Sequence, residues 1–253
     1  MRYLKLSVLV IFIFFIVASG SIAQESGNTT VTSFTKSKRV LLEDVYPDHL
    51  ITFYCGNPFS ADKKVIPSDA YTPKKDNDRA KRIEWEHIVP ASLFGKQFPA
   101  WTDGHPECVT SSGNAYKGRR CATKMVEAYQ FMQADIHNLV PAIGEINGLR
   151  SSYPYGILSG EIREFGNCDM EIENKTAEPP PNVRGNIARI YFYMGYVYPD
   201  FDIVDDNNRD MMNELRTADP VDEWECTRSK RIESLQGNEN PFVKYNCIVN
   251  GMW

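Results

Sequence analysis

The chain has 253 residues, with 42% hydrophobic and 24% charged residues, and a formal net charge of −5 at pH 7. This length suits one sizeable domain, with or without appendages. The acidic balance argues against a protein that binds nucleic acid over its whole surface, so any such function must depend on a local basic patch.

Residues 1–23 have the pattern of a secretory signal peptide. Arg2 and Lys5 precede the apolar run LSVLVIFIFFIVA, and Ser21 and Ala23 place small residues at the two positions that a signal peptidase reads. We expect cleavage after Ala23. The alternative is an uncleaved anchor, although the run is shorter than the about 20 residues that span a bilayer. No later stretch is apolar enough to cross a membrane, which predicts an exported, soluble protein.

The segment after the signal is polar. Residues 24–39 are rich in Ser and Thr, which predicts a mobile leader before a single domain over 40–253. The apolar spacing between Val40 and Tyr54 predicts a helix. Many Pro, Asp and Lys residues then indicate an irregular loop over 57–81.

The stretch RIEWEHIV at 82–89 reads as a strand because Ile, Trp and Val favour a pleated backbone. It also carries an acid and an imidazole side by side, Glu86 and His87, and Pro90 ends any further pairing. Adjacent strand residues point to opposite faces. These two side chains can therefore meet at one site only if the strand ends or bends there.

Helical patterns dominate the rest of the chain. Residues 98–120 read as a loop, whereas the apolar stripe in ATKMVEAYQFMQADIHNL predicts a helix over 122–139. Alternation predicts a strand within 161–173. The apolar run NIARIYFYMGYVYP predicts a buried helix.

A last helix is expected near the C-terminus. Asp219 and Pro220 resemble an N-cap and a first helical residue, and Gly237 resembles a stop after Gln236. The elements together indicate an α+β fold with more helix than sheet.

Six cysteines follow the signal segment, and an even number in an exported chain favours disulfides. They are Cys55, Cys108, Cys121, Cys168, Cys226 and Cys247. Fifteen connectivities are possible. Proximity in the sequence suggests Cys108–Cys121 and Cys226–Cys247, which leaves Cys55–Cys168. The absence of C-x-x-C argues against a thiolate zinc site.

Three features could form a site: the Glu86–His87 pair, the basic cluster KGRRC at 117–121, and DIHN at 135–138. Each alone is weak, because most histidines are surface or core residues, most basic clusters are solvated faces, and most asparagines near helix ends are caps. Their joint occurrence in one chain favours a functional site over three unrelated features.

Longer blocks of the sequence resemble the bacterial endonuclease I family. They are EWEHIVPASLFG, KGRRC, DIHNLVPAIGEINGLR, RGNIARIYFYM and DEWECTRSKRIESLQGNENPFV, in this order between about Leu50 and Cys247. The resemblance implies an exported nuclease without sequence preference, with an embedded ββα-metal (His-Me) finger. It also implies cleavage of DNA, and of RNA, to 5′-phosphate and 3′-hydroxyl ends.

The resemblance implies a role for each matching residue. His87 corresponds to the general base, and an imidazole can accept a proton from water near neutral pH. Glu86 and Asn138 correspond to ligands of one divalent ion, expected to be Mg²⁺, which prefers oxygen ligands. Arg119 corresponds to the residue that binds the scissile phosphate, since a guanidinium suits phosphate oxygens. Only one residue separates Arg119 from the cysteine, so Arg120 remains the alternative.

Several expectations complete this interpretation. His137, next to Asn138, reads as structural, because neighbours on a helix point about 100° apart and H-E-x-x-H is absent. His49 and His105 have no partner in the sequence. We expect a monomer that contacts the nucleic-acid backbone, which carries no sequence information. The alternative function is an inactive relative that binds nucleic acid without cleaving it.

Overall fold

The computed structural model describes residues 26–75, 77–160 and 162–253; the expected signal segment lies outside them. The helices, in chain order, are α1 (Phe34–Val40), α2 (Ala91–Gly95), α3 (Pro99–Thr102), α4 (Arg119–Met125), α5 (Glu127–Gln133), α6 (Gly144–Arg150), α7 (Arg184–Val197), α8 (Asp206–Ala218), α9 (Glu223–Gln236) and α10 (Pro241–Val249). The strands are β1 (Ile83–His87), β2 (Leu139–Ile143), β3 (Glu171–Glu173) and β4 (Thr176–Glu178). Within the described residues, none of these helices is long and apolar enough to cross a bilayer.

The strands form two small antiparallel sheets, β1 with β2 and β3 with β4. The mixture of helices with these sheets confirms the predicted α+β class. In the first sheet Ile83 lies opposite Ile143 and His87 lies opposite Leu139. Helix α6 begins directly after β2 and contacts both strands, so the chain forms a β-β-α unit. Helices α2 to α5 lie in the connection between the strands.

Helix α7 is the centre of the main hydrophobic core, as its apolar sequence predicts. Ile187, Ile190, Tyr193 and Met194 are all buried. A second cluster forms behind β1, where Ile83 and Trp85 pack with residues of the first helical segment and of α9. The β-β-α unit is therefore supported by packed side chains on the face of β1 that is turned away from solvent.

The predicted mobile leader is wrong over its described part. Residues 26–33 run across the protein surface into α1, which Ser33 caps by accepting from Lys36 N. Asn28 donates to the carbonyls of Val31 and Phe131, and Thr30 donates to the carbonyl of Gln236. Polar composition suggested disorder, but these side chains instead satisfy buried backbone groups, which composition cannot reveal.

The first helix also differs from its predicted position. It begins at Phe34, continues as a π-helical segment over Leu41–Val45, and stops there instead of reaching Tyr54. The predicted strand within 161–173 is similarly confined to β3 among the described residues. The first pattern extends into a loop that follows the helical segment, whereas the second includes a loop that precedes the strand.

The predicted helix over 122–139 is broken into α4, α5 and a 3₁₀ turn at Ile136–Asn138. Val126 takes an extended conformation between the two helices. Asp135 then redirects the chain because its carboxylate accepts bonds from Tyr193 and Tyr198 as well as from His137 N. Tertiary hydrogen bonds thus override a helical apolar pattern.

Helix α9 begins three residues later than predicted. Asp222, not Asp219, is its N-cap and accepts from Glu225 N at 2.6 Å. Asp219 instead accepts from Gly185 N at the start of α7. The predicted stop at Gly237 is confirmed, with φ 91°. Helix α8 has no counterpart among the predicted elements.

Three disulfides join the pairs that proximity suggested: Cys55–Cys168, Cys108–Cys121 and Cys226–Cys247. The first links the loop before β1 to the segment before β3, 113 residues later. The second joins the long loop to α4, and the third joins α9 to α10.

A buried ion pair fixes α9 against α7. Arg189 donates to both carboxylate oxygens of Glu225, at 2.8 and 2.6 Å, and both side chains are at most 4% exposed. Removing one partner of such a pair leaves the other charge buried without compensation.

We predict that Glu225→Ala lowers the free energy of unfolding by about 3–5 kcal/mol, because Arg189 loses its carboxylate in the core. Urea unfolding measures this change. Glu43→Ala, which removes an exposed partner 4.0 Å from Arg39, is the control and should cost less than about 1 kcal/mol. Equal losses in the two variants would contradict the prediction.

Candidate active site

A cavity of about 580 Å³ opens at the end of β1. Three of the four predicted site residues line it: Glu86, His87 and Arg119. Asn147 of α6 and Phe34 of α1 line it as well. The cavity therefore collects side chains from the finger, from α4 and from the N-terminal helix.

His87 is the last residue of β1, and only 7% of it is exposed. Its Nε2 lies 2.8 Å from the carbonyl oxygen of Gln133. A carbonyl only accepts, so Nε2 carries the proton and Nδ1 is the unprotonated nitrogen, which can accept one. Burial, then the nearby Arg119, lowers the pKa of His87 to about 3. The imidazole is therefore neutral near pH 7, the form that a general base needs.

Glu86 lies beside this base with only 3% of the residue exposed. Its Oε1 accepts from Arg150 Nη1 at 3.0 Å and from the Tyr54 hydroxyl at 3.4 Å. Burial raises the pKa of this carboxyl to about 7, although Arg150 opposes the rise. No described residue donates a hydrogen bond to Oε2. One oxygen is thus anchored and the other remains available to a ligand.

Arg150, the last residue of α6, donates hydrogen bonds to both Glu86 and His87. The same Nη1 donates to the carbonyl of His87 at 2.9 Å, and Nη2 donates to the carbonyl of Ile88 at 2.8 Å. The sequence interpretation did not identify Arg150. Its signal was the arginine that ends the quoted block DIHNLVPAIGEINGLR.

Arg119, and not Arg120, faces the cavity. Arg119 is the first residue of α4, and its Nη2 donates a hydrogen bond to Nδ1 of His87 at 3.4 Å. Arg120 instead lies over the ring of Tyr116, 4.2 Å from its centroid. Gly118, with φ 76°, makes the left-handed turn before α4 that glycine adopts most readily.

Asn138 does not lie in the cavity, which contradicts its expected place beside Glu86. It is fully buried behind the strand end. Its Oδ1 accepts from Val89 N at 2.7 Å, and its Nδ2 donates to Val89 O at 3.0 Å. The amide thus satisfies the backbone after β1 instead of facing a ligand.

Asn147 takes the place in the cavity that the sequence interpretation gave to Asn138. Its Nδ2 donates to Glu84 Oε2 at 3.1 Å, and no described residue donates to its Oδ1. Glu84 itself pairs with Arg79 and Arg82. The signal that the sequence interpretation missed was the position of Asn147 in the helix that follows the second strand. That helix brings Asn147 back to the end of β1.

The remaining histidines lie outside the cavity. His137 contacts the carbonyl of Asn238 at 3.1 Å, and burial lowers its pKa to about 4. This agrees with a structural role. His49 stacks on Trp224 at 3.7 Å, and His105 accepts from Glu107 N.

The acids and histidines of the described residues form no group of three or more that could hold a metal ion. An ion in this cavity would therefore have few protein ligands. The available donors are Glu86 Oε2 and Asn147 Oδ1, both oxygens and both without a protein hydrogen-bond donor. This set fits a hard cation that keeps several water molecules.

Comparison with known proteins agrees with the geometry. The profile of the family described as Endonuclease I matches residues 26–247. A periplasmic deoxyribonuclease of Aeromonas hydrophila is 40% identical over 81% of this chain and 83% of its own. Endonuclease-1 of Buchnera aphidicola is 38% identical over 86% and 83%. An extracellular ribonuclease of Bacillus subtilis is 29% identical over 47% and 46%. The chain therefore belongs to the endonuclease I family.

Proposed function

We propose that this protein is an exported endonuclease that hydrolyses phosphodiester bonds of DNA, and also of RNA, without sequence preference. One observation carries the proposal: a buried, neutral imidazole lines a cavity with Arg119, and its unprotonated Nδ1 accepts a hydrogen bond from that guanidinium. Relatives named deoxyribonuclease and ribonuclease support both substrates.

In the proposed reaction His87 removes a proton from the attacking water through Nδ1. Gln133 supports this step because its carbonyl fixes the tautomer and holds the ring. Arg119 binds the scissile phosphate and stabilises the charge that develops on its oxygens. The 5′-phosphate products that we expect correspond to loss of the 3′ oxygen as the leaving group.

We propose that Glu86 and Asn147 would hold one Mg²⁺ ion. Such an ion, when bound, supplies positive charge to the phosphate oxygens and the leaving group. Arg150 keeps the Glu86 carboxylate oriented, and Glu84 keeps the Asn147 amide oriented through Nδ2. The two donor oxygens are left facing the cavity.

An inactive nucleic-acid-binding relative is the alternative. The intact set of Glu86, His87, Arg119 and Asn147 within one cavity argues against it. A binding module needs cations but has no need of a buried imidazole with a fixed tautomer.

Nicking of supercoiled plasmid tests the function. We expect cleavage with Mg²⁺, none with EDTA, and recovery when Mg²⁺ is returned.

His87→Ala should lower the rate by roughly 10²–10⁴ while Mg²⁺ binding persists in calorimetry. Glu86→Gln, which keeps an acceptor for Arg150, should lose both cleavage and Mg²⁺ binding. Parental cleavage by Glu86→Gln would show that the proposed ligand is wrong.

The two asparagines should differ in what they lose. Asn147→Ala should weaken Mg²⁺ binding and cleavage with little change in the free energy of unfolding. Asn138→Ala should lower that free energy by about 1–3 kcal/mol, because Val89 N and O lose buried partners. Calorimetry and urea unfolding separate the effects. Loss of Mg²⁺ binding by a folded Asn138→Ala, with parental binding by Asn147→Ala, would reverse the assignment.

The Cys108–Cys121 disulfide should be needed for turnover, since it ties α4 and therefore Arg119 to the loop before it. We predict that the bridge forms only after export and that the reduced protein is a poor nuclease. Cys108→Ser with Cys121→Ser should lower stability by about 3 kcal/mol and strongly reduce kcat below the melting temperature, without loss of Mg²⁺ binding.

Cys226→Ser with Cys247→Ser provides the control. This pair joins α9 to α10, and neither cysteine lines the cavity. Its removal should cost stability but leave the turnover of the folded protein near parental. A folded Cys108/Cys121 variant with parental turnover would contradict the prediction.

A further inference from the structure

Helix α1 forms part of the cavity wall that holds the proposed base. Phe34 and Lys38 both line the cavity, and they lie four residues apart on one helix face. Neither residue was singled out in the sequence, because both belong to the segment that composition assigned to a mobile leader.

The ring of Phe34 is a shared contact for three cavity side chains. Its centroid lies 4.9 Å from that of the His87 ring. The guanidinium carbon of Arg119 lies 5.5 Å from the same ring, and Lys38 Nζ lies 5.0 Å from it. Both cations are thus within cation–π distance of one aromatic ring.

The two cations lack anionic partners. Neither Lys38 nor Arg119 forms an ion pair within the part of the chain that the structure describes, whereas Arg82, which lines the same cavity, is paired with Glu84. Two like charges near one ring repel each other. An anion between or beside them relieves this repulsion, so the arrangement favours a polyanionic ligand.

We propose that Lys38 binds a second backbone phosphate of the nucleic acid, next to the scissile one, and that Phe34 holds Lys38 and Arg119 at the two positions. This inference rests on the proposed function. Arg119 contacts both the ring and His87, which assigns it to the scissile phosphate. Lys38 contacts the ring alone, which assigns it to a neighbouring phosphate.

Salt dependence of binding tests the proposed contact. A His87→Ala protein with Mg²⁺ would bind a labelled duplex without appreciable cleavage, and anisotropy would give Kd at several salt concentrations. Adding Lys38→Met should reduce the slope of log Kd against log salt by about 0.9, the value for one duplex phosphate contact. Lys36→Met is the matched control, because Lys36 lies on the same helix and contacts Thr30 O outside this cavity. Equal slope changes in the two variants would overturn the proposal.

The position of the contact can be found with single methylphosphonates, which remove the charge from one phosphate at a time. On end-labelled oligonucleotides, in which cleavage at each bond is resolved separately, one position beside a given bond should lower kcat/KM of the otherwise parental enzyme for that bond by up to about fivefold. The same substitution should have no effect on Lys38→Met. If no position shows this difference, Lys38 does not bind a neighbouring phosphate. If the parental enzyme cuts no oligonucleotide at all, the proposed function fails instead.

The role of the ring is tested by coupling. Phe34→Tyr keeps the aromatic face and should keep the parental salt slope. Phe34→Leu keeps the apolar character but loses that face, so it should weaken binding and diminish the additional effect of Lys38→Met. Additive effects of Phe34→Leu and Lys38→Met would overturn the proposed role of the ring.

Discussion

The active site depends on the hydrogen bonds that the guanidinium of Arg150 donates at the end of β1. Adjacent residues of a strand point to opposite faces, so Glu86 and His87 can serve one site only where the strand ends. Arg150 stabilises this ending because it donates to the carbonyls of His87 and Ile88 and, at the same point, to the Glu86 carboxylate. A buried charge is tolerated when it is paired and hydrogen-bonded. Nη1 and Nη2 of Arg150 meet that condition, whereas its Nε has no hydrogen-bond partner among the described residues. One side chain from α6 therefore fixes the acid, the backbone of the base and the end of the sheet.

The base itself depends on burial. Because His87 is almost inaccessible, its charged form is disfavoured, and it stays neutral although a carboxylate is its neighbour in sequence. That carboxylate is directed to Arg150, while the imidazole faces Gln133 and Arg119. The two side chains thus have separate partners, which fits the proposed roles of Glu86 as a cation ligand and of His87 as a base.

The sequence predicted most of the elements but few of their ends. Apolar periodicity located α7, and the glycine stop located the end of α9, because both signals are local. The helix expected over 122–139 failed because Asp135 bonds to tyrosines about 60 residues away. Such partners cannot be read from spacing.

The predicted site shows the same division between local and distant signals. Glu86, His87 and Arg119 lie in sequence blocks that match those of the family, and all three line the cavity. Asn138 lies in a block that matches the family equally well. However, the sequence does not distinguish a buried asparagine that hydrogen-bonds to the backbone from one that faces a ligand. Only the path of the chain after β2, which returns Asn147 to the strand end, distinguishes them.

Separate sets of contacts hold the walls of the cavity in place. Arg150 holds the acid and the base, the Cys108–Cys121 bridge holds the start of α4, and α1 is held by the Asn28 and Thr30 side chains on the segment before it. Because these sets of contacts share no residue, a change in one should disturb one wall and leave the others in place. The wall of α1 has no disulfide of its own, and hydrogen bonds, the ring of Phe34 and apolar packing hold it to the site. A polyanion bound at Lys38, as proposed, would also stabilise that wall and would couple substrate binding to completion of the active site through the same helix.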